Sequence, residues 1–287
     1  MSKDLLRLTR RSRNGAISTQ KNRQRGLAAM AQELNKLGYK LKSANALKPK
    51  HVLALLEHWQ TNDVKTATIR NRMSWLRWWT AQVNKANVIE RANKAYGVGR
   101  QTRTPTNRAQ QLDKTKLQQI DCPYIQVALL LQATFGLRRE EAMKFQPSYA
   151  VQQGYIRLKP SWTKGRRARK IPITNEAQRQ AVALAQKLAG SGSLIPTELN
   201  YRQHLKRYEH QTQKAGMRNT HGLRHNYAQE RYQVLTGKAC PLAGGKHWHE
   251  MTAQEQSADR AARAQISKEL GHQRLSITDT YLGRALK

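Results

Sequence analysis

Near its C-terminal end the 287-residue chain carries LGHQRLSITDTY, residues 270–281, in which His272 precedes Tyr281 by nine positions. A phenol has a reference pKa near ~10 and is a poor nucleophile at neutral pH. Tyr281 can do covalent chemistry only where neighbours stabilise the phenolate and the charge on the group it attacks. Other stretches supply such neighbours. In GLRREE, Arg138 follows the helix-breaking Gly136 and stands at a helix N-terminus, where backbone N–H groups also favour an anion. Glu141, one turn on, can hold that guanidinium. Lys164, beside Gly165 on a tight turn, can be pushed into a groove. In NTHGLRH, His221, Arg224 and His225 fall at i, i+3 and i+4 and share one helical face. Taken singly, each has a plainer reading: a surface ion pair, an exposed hairpin tip, a buried histidine or a metal site. An arginine amid the third cluster and the lack of an adjoining carboxylate argue against the metal. Taken together, the groups suit attack by Tyr281 on a DNA phosphodiester.

Charge names the partner class. Lys and Arg number 52 against 18 Asp and Glu, a formal net charge of +34. The excess runs from end to end, which suggests whole faces meeting a polyanion rather than a basic tail. A ribosomal or chromatin-packing protein fits that charge equally well, so charge alone does not set the activity. The two cysteines, Cys122 and Cys240, form no CxxC pair. Neither a disulfide framework nor a cysteine zinc site is expected, and the usage suits a reducing cytoplasm. No leader-like apolar region opens the chain, and no stretch approaches the ~18 apolar residues that a membrane span needs. His247, His249 and Glu250 in KHWHE have metal-ligand spacing but no fourth partner, and no metal or cofactor is expected.

The elements that must position these groups follow from periodicity. Residues 1–17 read as a loose basic segment. Three helices then form a bundle over 18–90: one capped by Ser18 or Thr19 and ended by Gly38, one opening at Pro49, and one after Thr66. The third buries Ile69, Met73, Leu76 and Val83 and turns Arg70, Asn71, Arg77 and Lys85 outward. Its tryptophans, Trp75, Trp78 and Trp79, read as core packing rather than base-stacking platforms. Residues 91–111 have linker composition, and a basic linker would let two domains close around a duplex. The second domain, 112–287, opens on an apolar helix from Tyr124. A β-hairpin follows (Tyr155–Leu158 and Arg169–Ile173), then helices over 176–189 and 200–215 and a short helix at Ile266–Gly271. The fold class is mainly α: a helical bundle plus an α+β domain with a small antiparallel sheet. Candidate DNA contacts are Thr68, Arg70, Asn71 and Arg77 on the bundle, Arg103 in the linker, and Arg166 and Arg167 beside Lys164.

The ordered set resembles the tyrosine recombinase (phage integrase) family. Arg138 and Glu141 are similar to that family's first arginine and its accompanying acid, and Lys164 to its β-hairpin lysine. His221 and Arg224 resemble its H-x-L-R pair, and His225 the residue that follows. His272 and Tyr281 resemble its third catalytic position and its nucleophile. The likeness is strong over 112–287 and looser over 18–90, the counterpart of the family's core-binding bundle. It implies a site-specific recombinase, an integrase of a mobile element, working without cofactor. Arg138 and Arg224 would clamp the phosphate, His221 or His272 would take the phenolic proton, and Lys164 would protonate the leaving 5′-oxygen. Implied partners are double-stranded DNA, other protomers as a homo-tetramer on paired sites, and accessory DNA-bending or directionality proteins. The implied location is the cytoplasm, on the nucleoid. A type IB topoisomerase-like enzyme, a telomere resolvase and a non-catalytic DNA-binding relative share the pattern. Two departures stand out: 236–264 reads as an insertion, and only six residues follow Tyr281, fewer than many members use to dock on a neighbour.

Overall fold

The computed structural model describes residues 2–99 and 106–284, and the chain divides into two compact units, Met1–Arg103 and Thr104–Lys287. The first unit is helical: α1 (Ser2–Arg11), α2 (Ile17–Lys36), α3 (Pro49–Thr61) and α4 (Thr66–Gln82). The apolar stripes anticipated from periodicity meet here. Leu27, Met30 and Leu34 of α2, Val52, Leu55 and Trp59 of α3, and Ile69, Met73, Leu76 and Trp79 of α4 are all buried. The indole N–H groups of Trp59 and Trp79 are satisfied inside the unit, on Glu33 Oε2 (2.8 Å) and the Ala44 carbonyl (3.0 Å). A tryptophan whose polar edge is already bonded in the core packs the fold rather than a base.

Two expectations about this unit need correcting. Residues 1–17 are not loose, because α1 buries Leu5 in the same core. Neither Ser18 nor Thr19 caps α2, which starts at Ile17 behind Ala16 with no side-chain cap.

The second unit opens with α5 (Lys114–Gln118), capped by Asp113, and the apolar α6 (Pro123–Phe135). Gly136 ends α6 in a left-handed conformation, and α7 (Arg139–Met143) starts just after Arg138. Then come α8 (Pro147–Ala150) and a three-stranded antiparallel sheet of β1 (Val151–Gln152), β2 (Tyr155–Leu158) and β3 (Arg169–Pro172). Ile156 pairs with Ile171 and Leu158 with Arg169, so alternate residues of β3 face the core. Strand β1 had no alternation long enough to be read from sequence. After the sheet follow α9 (Glu176–Ala189), α10 (Tyr201–Lys214) and α11 (Gly222–Thr236).

The last part differs from expectation. Ile266–Gly271 is not a separate short helix; it closes α12 (Ala253–Leu270), which runs through the stretch read as an insertion. Arg263 explains why that stretch is built in. It chelates Asp259 within α12 (2.8 and 2.9 Å) and reaches Asp279 (3.1 Å) and the Gly283 carbonyl (2.9 Å). It thereby ties α12 to α13 (Asp279–Leu282), the turn that carries Tyr281.

Gly136 is a tight point of the frame around the site. Its φ is +60°, and a Cβ there would lie 2.4 Å from the Tyr227 ring and 3.0 Å from Leu270. Gly136→Ala should therefore cost about 2–4 kcal/mol, combining left-handed strain with overpacking. Urea unfolding followed by circular dichroism measures this, and a variant as stable as the parent would refute the close approach.

Candidate active site

At the centre of the second unit is one fully buried carboxylate, Glu141. Three arginines surround it. Arg169 meets it with two parallel bonds (2.9 and 2.6 Å), Arg138 gives one bond at 2.8 Å, and Arg224 approaches to 4.0 Å. Glu141 also accepts the Arg138 backbone N–H at 2.8 Å, so the same side chain closes the first turn of α7. Burial by itself pushes the Glu141 carboxyl up. The hydrogen-bonded Arg169, with Arg224 and Arg138, more than reverses that and holds it at about 2.

Arg224 is likewise fully buried on the first turn of α11. Its Nη1 donates to the Gly136 carbonyl and its Nη2 to the Leu270 carbonyl, both at 2.5 Å. These bonds fix the plane of the guanidinium. Its Nε–Nη2 edge then faces Tyr281 and His272: Nε lies 3.4 Å from the Tyr281 hydroxyl and Nη2 lies 3.4 Å from His272 Nε2. Burial, then repulsion by Arg138, lowers the Arg224 pKa to about 10, which still leaves it charged at neutral pH.

Donor bookkeeping assigns the protons. Arginine only donates, so the Tyr281 oxygen accepts from Arg224, and its 3.3 Å hydrogen bond with His221 Nε2 runs in the direction set by the His221 tautomer. By the same rule His272 Nε2 is an acceptor. The proton of its neutral ring then sits on Nδ1 and goes to Thr278 Oγ1 at 2.9 Å. Burial first, then Arg224 and Arg138, lower the His221 pKa and hold that of His272 at about 3. Burial and then His221 hold His225 at about 4. Tyr281, only 6% exposed, lies between the His225 ring (4.3 Å) and the His272 ring (5.1 Å). Its carbonyl accepts from Gln229 at 3.0 Å.

The structure thus brings Arg138, Glu141, His221, Arg224, His225, His272 and Tyr281 into one pocket. Lys164 is exposed on the β2–β3 loop and lines a neighbouring cleft with Arg167, Lys170, Lys268 and His272. Arg166 and Arg167 are exposed on the same loop. On α4, Thr68 and Asn71 are exposed and Arg70 is half-buried, whereas Arg77 is engaged by the Glu90 carbonyl at 2.8 Å. Arg103 lies outside the described residues. Two other tyrosines of this unit are structural: buried Tyr227 and Tyr232 donate to Glu269 and Asp259. In KHWHE, Glu250 accepts the backbone N–H of His247, and the two histidine rings stack at 6.0 Å. Among the described residues no group of three or more His, Cys, Asp or Glu could hold a metal ion, and no helix is long and apolar enough to cross a membrane.

Sequence reasoning missed Arg169, Thr278 and Glu269. For Arg169 there was a signal: in RKIP it shares the inward face with Ile171, and a charge on the apolar face of a strand needs a buried partner. For Thr278, in SITDTY, there was none.

Comparisons bear on the same residues. The family model "Phage integrase, N-terminal" matches residues 1–89, and "Integrase" matches 97–230. The second span holds Arg138, Glu141, Lys164, His221, Arg224 and His225 and stops before His272 and Tyr281. Several solved structures are similar in fold. A lambda integrase dimer bound to a COC′ core site has a TM-score of 0.62 at 14% identity, covering 99% of this chain and 77% of that one. A pre-cleavage complex of XerH site-specific recombinase on difH substrate has 0.57 at 16%, covering 98% and 80%. The Tn1549 transposon integrase with transposon right-end DNA has 0.60 at 13%, covering 99% and 95%. No curated protein sequence matches the chain.

The depressed histidines fix a sign for stability against pH. Between the folded values of about 3 and 4 and the ordinary value near ~6.5, the unfolded chain binds protons that the folded chain does not. Stability is present above that window and falls as pH drops through it. Glu141, at about 2, adds the same sign below ~4.5. The thermal midpoint should therefore fall between pH 7.5 and 5, and His225→Gln should flatten the fall. An unchanged midpoint across that range would mean these rings are not held neutral.

Proposed function

This chain belongs to the tyrosine recombinase (phage integrase) family, and we propose that Tyr281 is its nucleophile in a site-specific recombination reaction on double-stranded DNA. The observation that carries this is the hydroxyl of Tyr281 held in its own chain's pocket between Arg224 Nε and His221 Nε2. In the reaction the Tyr281 oxygen bonds to phosphorus and its proton passes to His221 Nε2, already on the line of the hydrogen bond. Neutral His221 is ready to take that proton. Charge growing on the non-bridging oxygens is taken up by Arg138 and by the Nε–Nη2 edge of Arg224. His272, whose Nε2 accepts from Arg224 Nη2, holds that edge of the guanidinium in place. The bond from phosphorus to the 5′-oxygen breaks, and Lys164 supplies the proton to the leaving oxygen. The products are a 3′-phosphotyrosine and a free 5′-hydroxyl. Because the phosphotyrosine keeps the bond energy, a 5′-hydroxyl from a second duplex reverses the step and completes an exchange.

Net charge of +34 supplies the affinity for the phosphate backbone, with Arg166 and Arg167 flanking the leaving strand and Thr68, Arg70 and Asn71 reading or gripping DNA from the bundle. Arg103 belongs to the same proposed set. Arg77 is a weaker candidate, since Glu90 already holds it. A lambda integrase tetramer bound to a Holliday junction is another similar structure, and a homo-tetramer on paired sites is the assembly we propose here. The integrase role, accessory DNA-bending or directionality proteins, and association with the nucleoid belong to the same proposal.

Tyr281→Phe should bind DNA as the parent does yet form no covalent adduct on a nicked suicide duplex carrying the sequence that flanks the gene. An adduct formed by that variant would remove Tyr281 from the mechanism. Arg224→Ala should slow cleavage by at least ~10²–10³-fold, the usual loss for one preorganised donor to a developing oxyanion. Its non-specific binding should hardly change, because one charge among 52 basic residues is lost. Supercoiled plasmid relaxed without exchange between sites would favour a topoisomerase instead.

A further inference from the structure

We propose that Arg169 is a positioning residue that seats the loop bearing Lys164 against the phosphate clamp, so that proton delivery to the leaving strand depends on it. This rests on the assignment of Lys164 as proton donor. Arg169 is the first residue of β3 and is nearly buried, whereas residues 164–168 just before it are all exposed. It bonds both oxygens of Glu141, and through Nε it donates to the Glu269 carbonyl at 2.8 Å. A single side chain therefore joins three things: the acid that orients Arg138, the end of α12 that orients Arg224 and His272, and the base of the loop that carries Lys164.

Two further observations show that the seat is built. Gly271 closes α12 in a left-handed conformation, and a Cβ there would lie 3.0 Å from Arg169 Cδ and 3.2 Å from its Nη1. The chain thus leaves room for this guanidinium to lie flat against the helix end. On the other side, Thr163 Oγ1 accepts the Arg167 N–H and donates to the Arg167 carbonyl, so the loop closes on itself as a small unit. A unit of that kind keeps its shape but takes its direction from its two ends. One end is buried Trp162 and Thr163, and the other is Arg169. Releasing Arg169 leaves that end of the loop held by its pairing with β2 alone, without the tie to Glu141 and the end of α12. The loss should fall on the step in which the proton reaches the departing 5′-oxygen as its bond to phosphorus breaks.

Full-length protein tests this on two forms of a suicide duplex that the parent cleaves. One has the normal 5′-oxygen; the other has sulfur at that bridging position, which leaves as a thiolate and needs no proton. Lys164→Ala is the reference variant. Arg169→Gln should slow cleavage of the oxygen duplex by ~10²-fold, the scale of lost general-acid help, with DNA affinity unchanged. On the sulfur duplex it should cleave within a few-fold of the parent, as Lys164→Ala should. If sulfur restores Lys164→Ala but not Arg169→Gln, Arg169 acts on the clamp or on folding, and the proposal is overturned. If sulfur restores neither, Lys164 is not the proton donor, and the reading beneath the proposal fails with it. Should Arg169→Gln not fold, Arg169→Lys replaces it. Its single ammonium can pair with Glu141 but cannot also reach the Glu269 carbonyl in the same geometry, so the same selective loss is expected.

Discussion

A lone carboxylate beneath three guanidiniums is the constraint on which the site depends. Arg138, Arg169 and Arg224 repel one another, and Glu141 is what lets them converge. An unpaired buried carboxylate would be costly, and so would an unpaired buried guanidinium. Each therefore requires the other, and the arrangement can hold only in the folded unit. The excess positive charge that remains is not a defect. It is what a phosphodiester, itself an anion, would neutralise on entering. The histidine rings stay unprotonated because burial, and after it the nearby arginines, disfavour a further charge.

The rest of the unit serves to present Tyr281 to that charge. Its turn is tied down from several sides: Arg263 through Asp279 and Gly283, Gln229 through the Tyr281 carbonyl, and Thr278 through His272. Most of these ties come from α11 and α12. That is why residues 253–264, although polar and uninformative to a periodicity argument, belong to the working frame. A stretch rich in Ala, Gln and Arg looks like a solvated surface until Asp259 is seen to be fully buried against Tyr232 and Arg263.

What was legible in the chain, and what was not, divides along the same physical line. Apolar stripes such as Leu27–Met30–Leu34 and Ile69–Met73–Leu76 state their own geometry, and the helices follow from them. Tyr281 and its cationic neighbours were legible as an ordered set because an unactivated phenol needs them. Three kinds of feature were not legible. Glycine-dependent approaches such as Gly136 against Tyr227 depend on neighbours distant in sequence. So do polar groups satisfied far along the chain, of which Arg169 with Glu141 and the Glu269 carbonyl is the clearest. Short elements, β1 among them, carry too few residues to show a period.

The edge of Arg224 that faces the pocket is not idle before DNA arrives. Its Nε–H already rests on the Tyr281 oxygen, and its neighbouring Nη2–H rests on His272. An arriving phosphate must take over those same hydrogens. In the proposed reaction the phenol is thus a stand-in for the substrate's oxygen, displaced from the arginine by the group it would then attack. Under that proposal, substrate arrival and release of the nucleophile become a single exchange of acceptors on one guanidinium edge.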